Sequence, residues 1–187
     1  MRKSLMLVLV AVAAPLASLA GTGVSRQPPA RLREATVCEM SKKPDAWNHV
    51  RVRLTAVATH GFEDFSLTDP TCPDAAGIWL TYGGSVSSGT IYCCPGEGGE
   101  SRRPKPLVIE GVTLPLVEDS VFHRFRALLG KQTRTAARVT LLGTFFPGEK
   151  SDTWGWSGFG HFGCCSLVVI ERLESFTVLR SSNRRPN

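Results

Sequence analysis

Apolar and polar residues alternate along Val50-Arg-Val-Arg-Leu-Thr-Ala-Val-Ala-Thr59, which sets Val50, Val52, Leu54, Ala56 and Ala58 on one face. A period of two is that of a strand buried on one side. Phe65 to Thr68 predicts a second, shorter strand ended by Asp69-Pro70, and Gly77 to Tyr82 a third closed by Gly83-Gly84. Ala137 to Phe146 predicts a fourth, and Ser166 to Val178 a fifth that is bent or interrupted near Arg172. Helical spacing occurs twice. Val37, Cys38, Met40 and Trp47 give a short amphipathic helix within Glu34–Asn48, interrupted near Pro44. Val121, Phe122, Phe125, Leu128 and Leu129 give a second helix within Glu118–Leu129, with Gly130 as its stop.

The order is helix, three strands, a helix-containing insertion and two strands. This predicts a mainly β fold with one or two helices: a five-stranded OB-like Greek-key barrel with an N-terminal helix and a long insertion between strands three and four. A β-sandwich is the structural alternative, but it needs more strands than the pattern supplies. Residues 34–179 form the domain in this reading. Within it, residues 85–117 are an insertion loop, rich in Gly, Ser and Pro from Ser85 to Pro106 and carrying Cys93, Cys94, Arg102, Arg103 and Lys105. There is no internal repeat.

The first 20 residues change the picture. Arg2 and Lys3 precede an uncharged apolar run, Leu5 to Leu19, and Ser18-Leu19-Ala20 offers a small-x-small cleavage site. This is the form of a signal peptide, too short to span a bilayer comfortably. The expected product is exported, periplasmic or extracellular, and soluble. It carries a flexible leader over residues 21–33 and a basic disordered tail over residues 180–187. Net charge is +6, falling to +4 when Arg2 and Lys3 are removed. Part of that charge lies in Arg180, Arg184 and Arg185, which a solvated tail explains and which anionic lipid or polysaccharide would also attract. Export argues against a nucleic-acid partner.

The segment Val37-Cys-Glu-Met-Ser-Lys-Lys-Pro-Asp-Ala-Trp-Asn-His-Val-Arg-Val-Arg-Leu54 carries a resemblance, as do Gly61-Phe-Glu-Asp-Phe-Ser-Leu67, Ile78-Trp-Leu80 and Gly158-Phe-Gly-His161 before a Leu-Val-Val strand. Together they resemble a group of small exported bacterial OB-fold-like proteins of unassigned activity. The resemblance covers most of the mature chain and implies a fold, but it supplies no catalytic residues.

In an oxidising compartment the cysteines at 38, 72, 93, 94, 164 and 165 are first read as disulfides. Six cysteines allow 15 pairings, and the sequence selects none. Adjacent cysteines rarely bond to each other, because the eight-membered ring strains the intervening peptide. The doublets are therefore expected to bond outward. Cys38 can reach Cys72, and the 93/94 doublet can clip the insertion to the 164/165 doublet. Closing a loop of about 70 residues contributes on the order of 4 kcal/mol in the chain-entropy model. No Cys-x-x-Cys supports a redox site, and adjacent ligands do not match the usual zinc spacing.

Candidate chemistry is sparse. No nucleophile elbow, phosphate loop or His-Glu-x-x-His is present. Glu63 and Asp64 are adjacent, so they point apart on a strand; Asp69-Pro70 is a turn starter. No cofactor or metal is expected, nor enzymatic activity. The conspicuous segment is Trp154-Gly-Trp-Ser-Gly-Phe-Gly-His-Phe162, between strands four and five. Flat rings on a glycine-rich loop either stack on a ligand or plug the end of the barrel. The expected function is a binding or structural module of the cell envelope, with a glycan or protein partner held by Phe62, Trp79, Trp154, Trp156 and His161. The alternative is a metal- or thiol-dependent enzyme using His161 and the cysteine doublets.

Overall fold

The computed structural model describes residues 31–61, 64–73, 75, 77–88, 102–129, 135–148 and 158–179. Eight strands occur in them: β1 (Arg33–Ala35), β2 (Arg51–His60), β3 (Phe65–Thr68), β4 (Ile78–Tyr82), β5 (Val108–Ile109), β6 (Val112–Thr113), β7 (Thr135–Phe146) and β8 (Leu167–Val178). Two helices accompany them, α1 (Val37–Lys42) and α2 (Ser120–Leu129). The expected first helix is shorter than its apolar spacing suggested. Thr36 caps α1 in a reciprocal box with Glu39, and Pro44 to Trp47 forms a separate 3-10 turn. A proline at that point starts a new turn more readily than it continues the old one.

The fold is mainly β. Antiparallel pairings join β2 to β3, β3 to β4, β7 to β8 and β2 to β7, while β4 and β8 run parallel. These five strands therefore form a ring-like sheet, with β1 added in parallel along the first half of β2. From Thr59 the register passes through Ser66, Trp79 and Leu167 to Phe146, yet Thr59 pairs directly with Ala136. One circuit thus returns ten residues further along β7. Such a stagger tilts the strands, as closing a sheet on itself requires.

The period of two decides what lies inside. Val52, Leu54, Ala56 and Ala58 of β2 meet Phe65, Leu67, Ile78, Leu80, Tyr82, Val139, Leu141 and Phe145 in the inner core. Phe122, Phe125 and Leu129 of α2 pack into the same core. Asp119 caps that helix, its side chain accepting the amides of Val121 and Phe122. The bend expected near Arg172 is present: the β7–β8 register slips on either side of Leu141 and Leu142, where Arg172 is paired.

The insertion departs from expectation. It is not loop throughout, because β5 and β6 make a hairpin whose turn, Glu110-Gly111, has φ values of 49° and 78°. Two positive-φ residues suit a hairpin with the natural twist. Leu107, Ile109 and Leu114 from this segment join Trp79, Phe146, Phe159, Leu167 and Val169 in a second core. That core lies on the outer side of β4, β8 and the end of β7. Parity assigns it: Trp79, Leu167 and Phe146 alternate with the inward Leu80, Val168 and Phe145.

The cystines correct one expectation. Cys38 and Cys72 are joined, with Cα atoms 5.8 Å apart, tying α1 to the β3–β4 connection. Cys164 and Cys165 are joined to each other, not to the insertion. The Cys165 backbone is fixed by contacts described below, so the two sulfurs are held together inside a tight loop. Cys93 and Cys94 lie outside the described residues. No described helix is long and apolar enough to cross a membrane.

Candidate functional site

The connection from β7 to β8 leaves and re-enters the sheet at one point. A Cβ placed on Gly148 would lie 3.3 Å from the Cα of Gly158 and 2.7 Å from the Cys165 carbonyl oxygen. One on Gly158 would lie 2.6 Å from that same oxygen. Glycine is required at both positions because backbone packs on backbone. Phe159 and Cys165 form an isolated antiparallel bridge, each amide donating to the other's carbonyl at 2.8 and 3.0 Å. The Gly158 and Gly163 amides donate to the Gly163 and Gly160 carbonyls. Between them His161 to Gly163 makes a 3-10 turn.

Gly160, at φ 79°, lies flat on the indole of Trp79: a Cβ there would be 2.6 Å from the ring. Both the left-handed backbone and the close approach demand glycine. Trp79 is 5 % exposed in consequence. It belongs to the outer core. His161, which follows Gly160 in the chain, is partly exposed. Phe62, Trp154 and Trp156 lie outside the described residues. Of the five expected site residues, the structure places Trp79 against Gly160, the chain neighbour of His161, at the foot of the loop that carries Trp154 and Trp156 in sequence.

Neighbouring main chain also lies over β4. Thr81, fully buried, hydrogen-bonds Ser88 at 2.7 Å. The Arg103 guanidinium donates to the carbonyls of Tyr82, Gly84 and Val86 at 3.1, 3.2 and 2.6 Å. It has no carboxylate partner among the described residues, and burial lowers its affinity for a proton. Arg103 thus acts as a brace that satisfies the carbonyls where β4 turns into the insertion.

Two polar pairings escaped the sequence reading. Glu171 of β8 is buried, its carboxylate held by the Arg51 guanidinium at 2.7–2.8 Å and the Thr144 hydroxyl at 2.6 Å. The register supplies the reason, because Arg51 faces Thr144 across β2 and β7. His49 Nε2 meets the Glu110 carboxylate at 2.5 Å, and the imidazole packs edge-on to Phe146. His49 and Glu110 are the two described non-glycine residues with positive φ, at 57° and 49°. Uncommon backbone at both ends of one contact marks a specified clamp, which holds the hairpin against the turn before β2.

At the α2 end of the ring, three buried side-chain atoms lack hydrogen-bond partners among the described residues: His60 Nδ1, Tyr82 Oη and Thr135 Oγ1. All three residues point inward, and His60 pairs with Thr135 across the strands. Burial lowers the His60 pKa, although Asp64 opposes it, and burial pushes the Tyr82 phenol well above its ordinary value. No group of three or more His, Cys, Asp or Glu residues gathers to hold a metal among the described residues.

The chain matches no family model, and comparison with curated proteins and with solved structures found no match either.

Proposed function

We propose that this chain is an exported, non-enzymatic binding module of the cell envelope, built on an OB-type barrel and related to the small exported proteins it resembles. The strand circuit β2–β3–β4–β8–β7, with α2 between β4 and β7, supports the OB reading. In such a barrel, the loop after the first ring strand and the loop before the last flank the ligand face. Here those are the β2–β3 turn, with Phe62, and the β7–β8 connection, with Trp154, Trp156 and His161. The register row Ser66–Trp79–Leu167 runs across the sheet from one to the other.

The observation that carries the reading is the pinched base of the β7–β8 connection, Gly148 against Gly158 and Cys165. A loop held this firmly at its base has less entropy to lose on binding, which favours recognition over simple spanning. The ligand is a glycan or a protein of the envelope, because planar rings serve sugar faces and apolar side chains alike. Trp79 supports the loop from beneath at Gly160.

Trp156→Ala tests this reading. Calorimetric titration with envelope polysaccharides, peptidoglycan fragments and purified envelope proteins should find a ligand whose affinity falls at least tenfold in the variant, about 1.4 kcal/mol. The melting temperature should stay nearly unchanged. A large loss of stability with unaltered binding would place the tryptophan in the core and overturn the reading.

A further inference from the structure

The bond between Cys164 and Cys165 encloses one peptide unit at the hub of the β7–β8 connection. The Cys165 backbone donates and accepts both bonds of the bridge to Phe159, and its carbonyl is the surface on which Gly148 and Gly158 pack. Cys165 also packs against the outer core. Through Phe159 and Gly160 the same loop reaches the Trp79 indole. A change in the 164–165 peptide is therefore transmitted, in two residues, to the cover over Trp79.

Adjacency sets the chemistry apart from that of Cys38–Cys72. The Cα atoms of Cys164 and Cys165 are 3.7 Å apart, against 5.8 Å in the other cystine. The common range is about 4.4–6.8 Å, and cystines outside it are the more readily reduced. Both residues are partly exposed, so a small reductant has access. Cys164 Sγ lies 3.9 Å from the Phe159 carbonyl oxygen. A disulfide sulfur has no proton to donate there, but a thiol does. Reduction would thus create a donor that competes with the Cys165 amide for that carbonyl.

We infer that Cys164–Cys165 is a thiol–disulfide exchange site, at which a dithiol reductant loosens the loop from Trp79 while the rest of the fold stays intact. A thiolate of the reductant attacks one protein sulfur, breaking the Cys164–Cys165 bond and forming a mixed disulfide. Its second thiolate displaces the remaining protein sulfur and closes the reductant's own disulfide. Two electrons pass to the protein, and the two departing thiolates each take a proton. This chemistry stands independently of the ligand proposed above; its consequence would be to regulate access to that loop.

The test uses the full mature chain, equilibrated in graded dithiothreitol redox buffers, trapped with iodoacetamide and mapped by peptide mass. Amide exchange is followed on the same samples. Cys164 and Cys165 should become half-labelled at a reducing strength roughly tenfold or more below that needed for Cys38 and Cys72. In that window the Phe159, Gly163 and Cys165 amides should lose protection while β2 and β7 keep theirs. Cys164→Ser/Cys165→Ser should show the loosened exchange without reductant. Labelling of Cys38 and Cys72 first, or reduction of the 164–165 pair with no change at Phe159 and Cys165, would overturn the inference. Both readouts are separate from the Trp156→Ala titration, so either proposal can fail alone.

Discussion

Over β4 and the adjoining ends of β7 and β8, both sides of the sheet are closed to solvent, but by different parts of the chain. Inside the ring, residues of β2, β3, β4, β7 and β8 face one another, and α2 covers one end. Outside, Trp79, Phe146, Leu167 and Val169 are covered by Leu107, Ile109 and Leu114 of the insertion and by Phe159 of the β7–β8 connection. The inner core is sealed by long, paired elements. The outer core is sealed by a two-stranded hairpin and a pinned loop, held by the His49–Glu110 clamp, the Arg103 brace and glycine contacts. Few strong elements and many local ties make the outer side the part that can open first.

Adjacent phenylalanines break this comparison most directly. Phe145 points inward and Phe146 outward, and both are fully buried. Phe145→Ala should cost about 3–5 kcal/mol, because strands on every side prevent collapse of the space. Phe146→Ala should cost less, since the short covering segments can settle into the gap. Its added amide exchange should be confined to residues 107–114 and 158–165. Denaturant unfolding with residue-resolved exchange checks both. Equal costs with exchange spread over the whole ring would show that the two cores are one cooperative unit.

A smaller effect is expected where the insertion crosses β4. A Cβ on Gly83 would lie 2.1 Å from the carbonyl oxygen of Pro115, which is backbone and cannot rotate away. Gly83→Ala should therefore displace the segment around Leu114 at a cost of about 1–3 kcal/mol. The Gly84 amide bond to the Leu114 carbonyl, 2.7 Å long, reports on it. Loss of protection at Gly84 with the β2–β7 amides unchanged is the expected result, measured by exchange.

These differences explain what could be read beforehand. The inner core was legible because one physical rule, the period of two, governs β2, β7 and most of β8. The outer core obeys no single period. Leu107, Ile109 and Leu114 sit among prolines and glycines, and only the tertiary fold shows that they face Trp79. The tryptophan on β4 could equally have been a ligand platform, and its burial depends on the absence of a side chain at Gly160. Cys164 and Cys165 were misread because the usual cost of bonding neighbours was weighed without the loop that clasps Cys165. His49 and Glu110 were invisible as a pair, being 61 residues apart, although a His-Val step before a strand and a Glu-Gly turn each hinted at unusual backbone.

The mildest test uses acid. The Arg102 guanidinium holds the Glu118 carboxyl below its ordinary range, and this pair ties the base of the insertion to the start of α2. The amides of Phe122 and Val121 do the same for Asp119, aided by Arg172. Both folded-state values are depressed, so each carboxylate contributes stability above its unfolded value, near 4, that is lost as pH falls through the lower folded value. Both groups are partly exposed to solvent, so the effect is small and weakens with salt. Below about pH 4, exchange should rise first at Arg103, whose amide donates to the Ser85 carbonyl beside the Val86–Arg102 bridge, and at the first turn of α2. Glu118→Gln should abolish the pH dependence at Arg103 and leave that of α2 in place, since Asp119 still titrates there. If the inner strands lost protection over the same pH range, the outer layer would not be the separable part of the molecule.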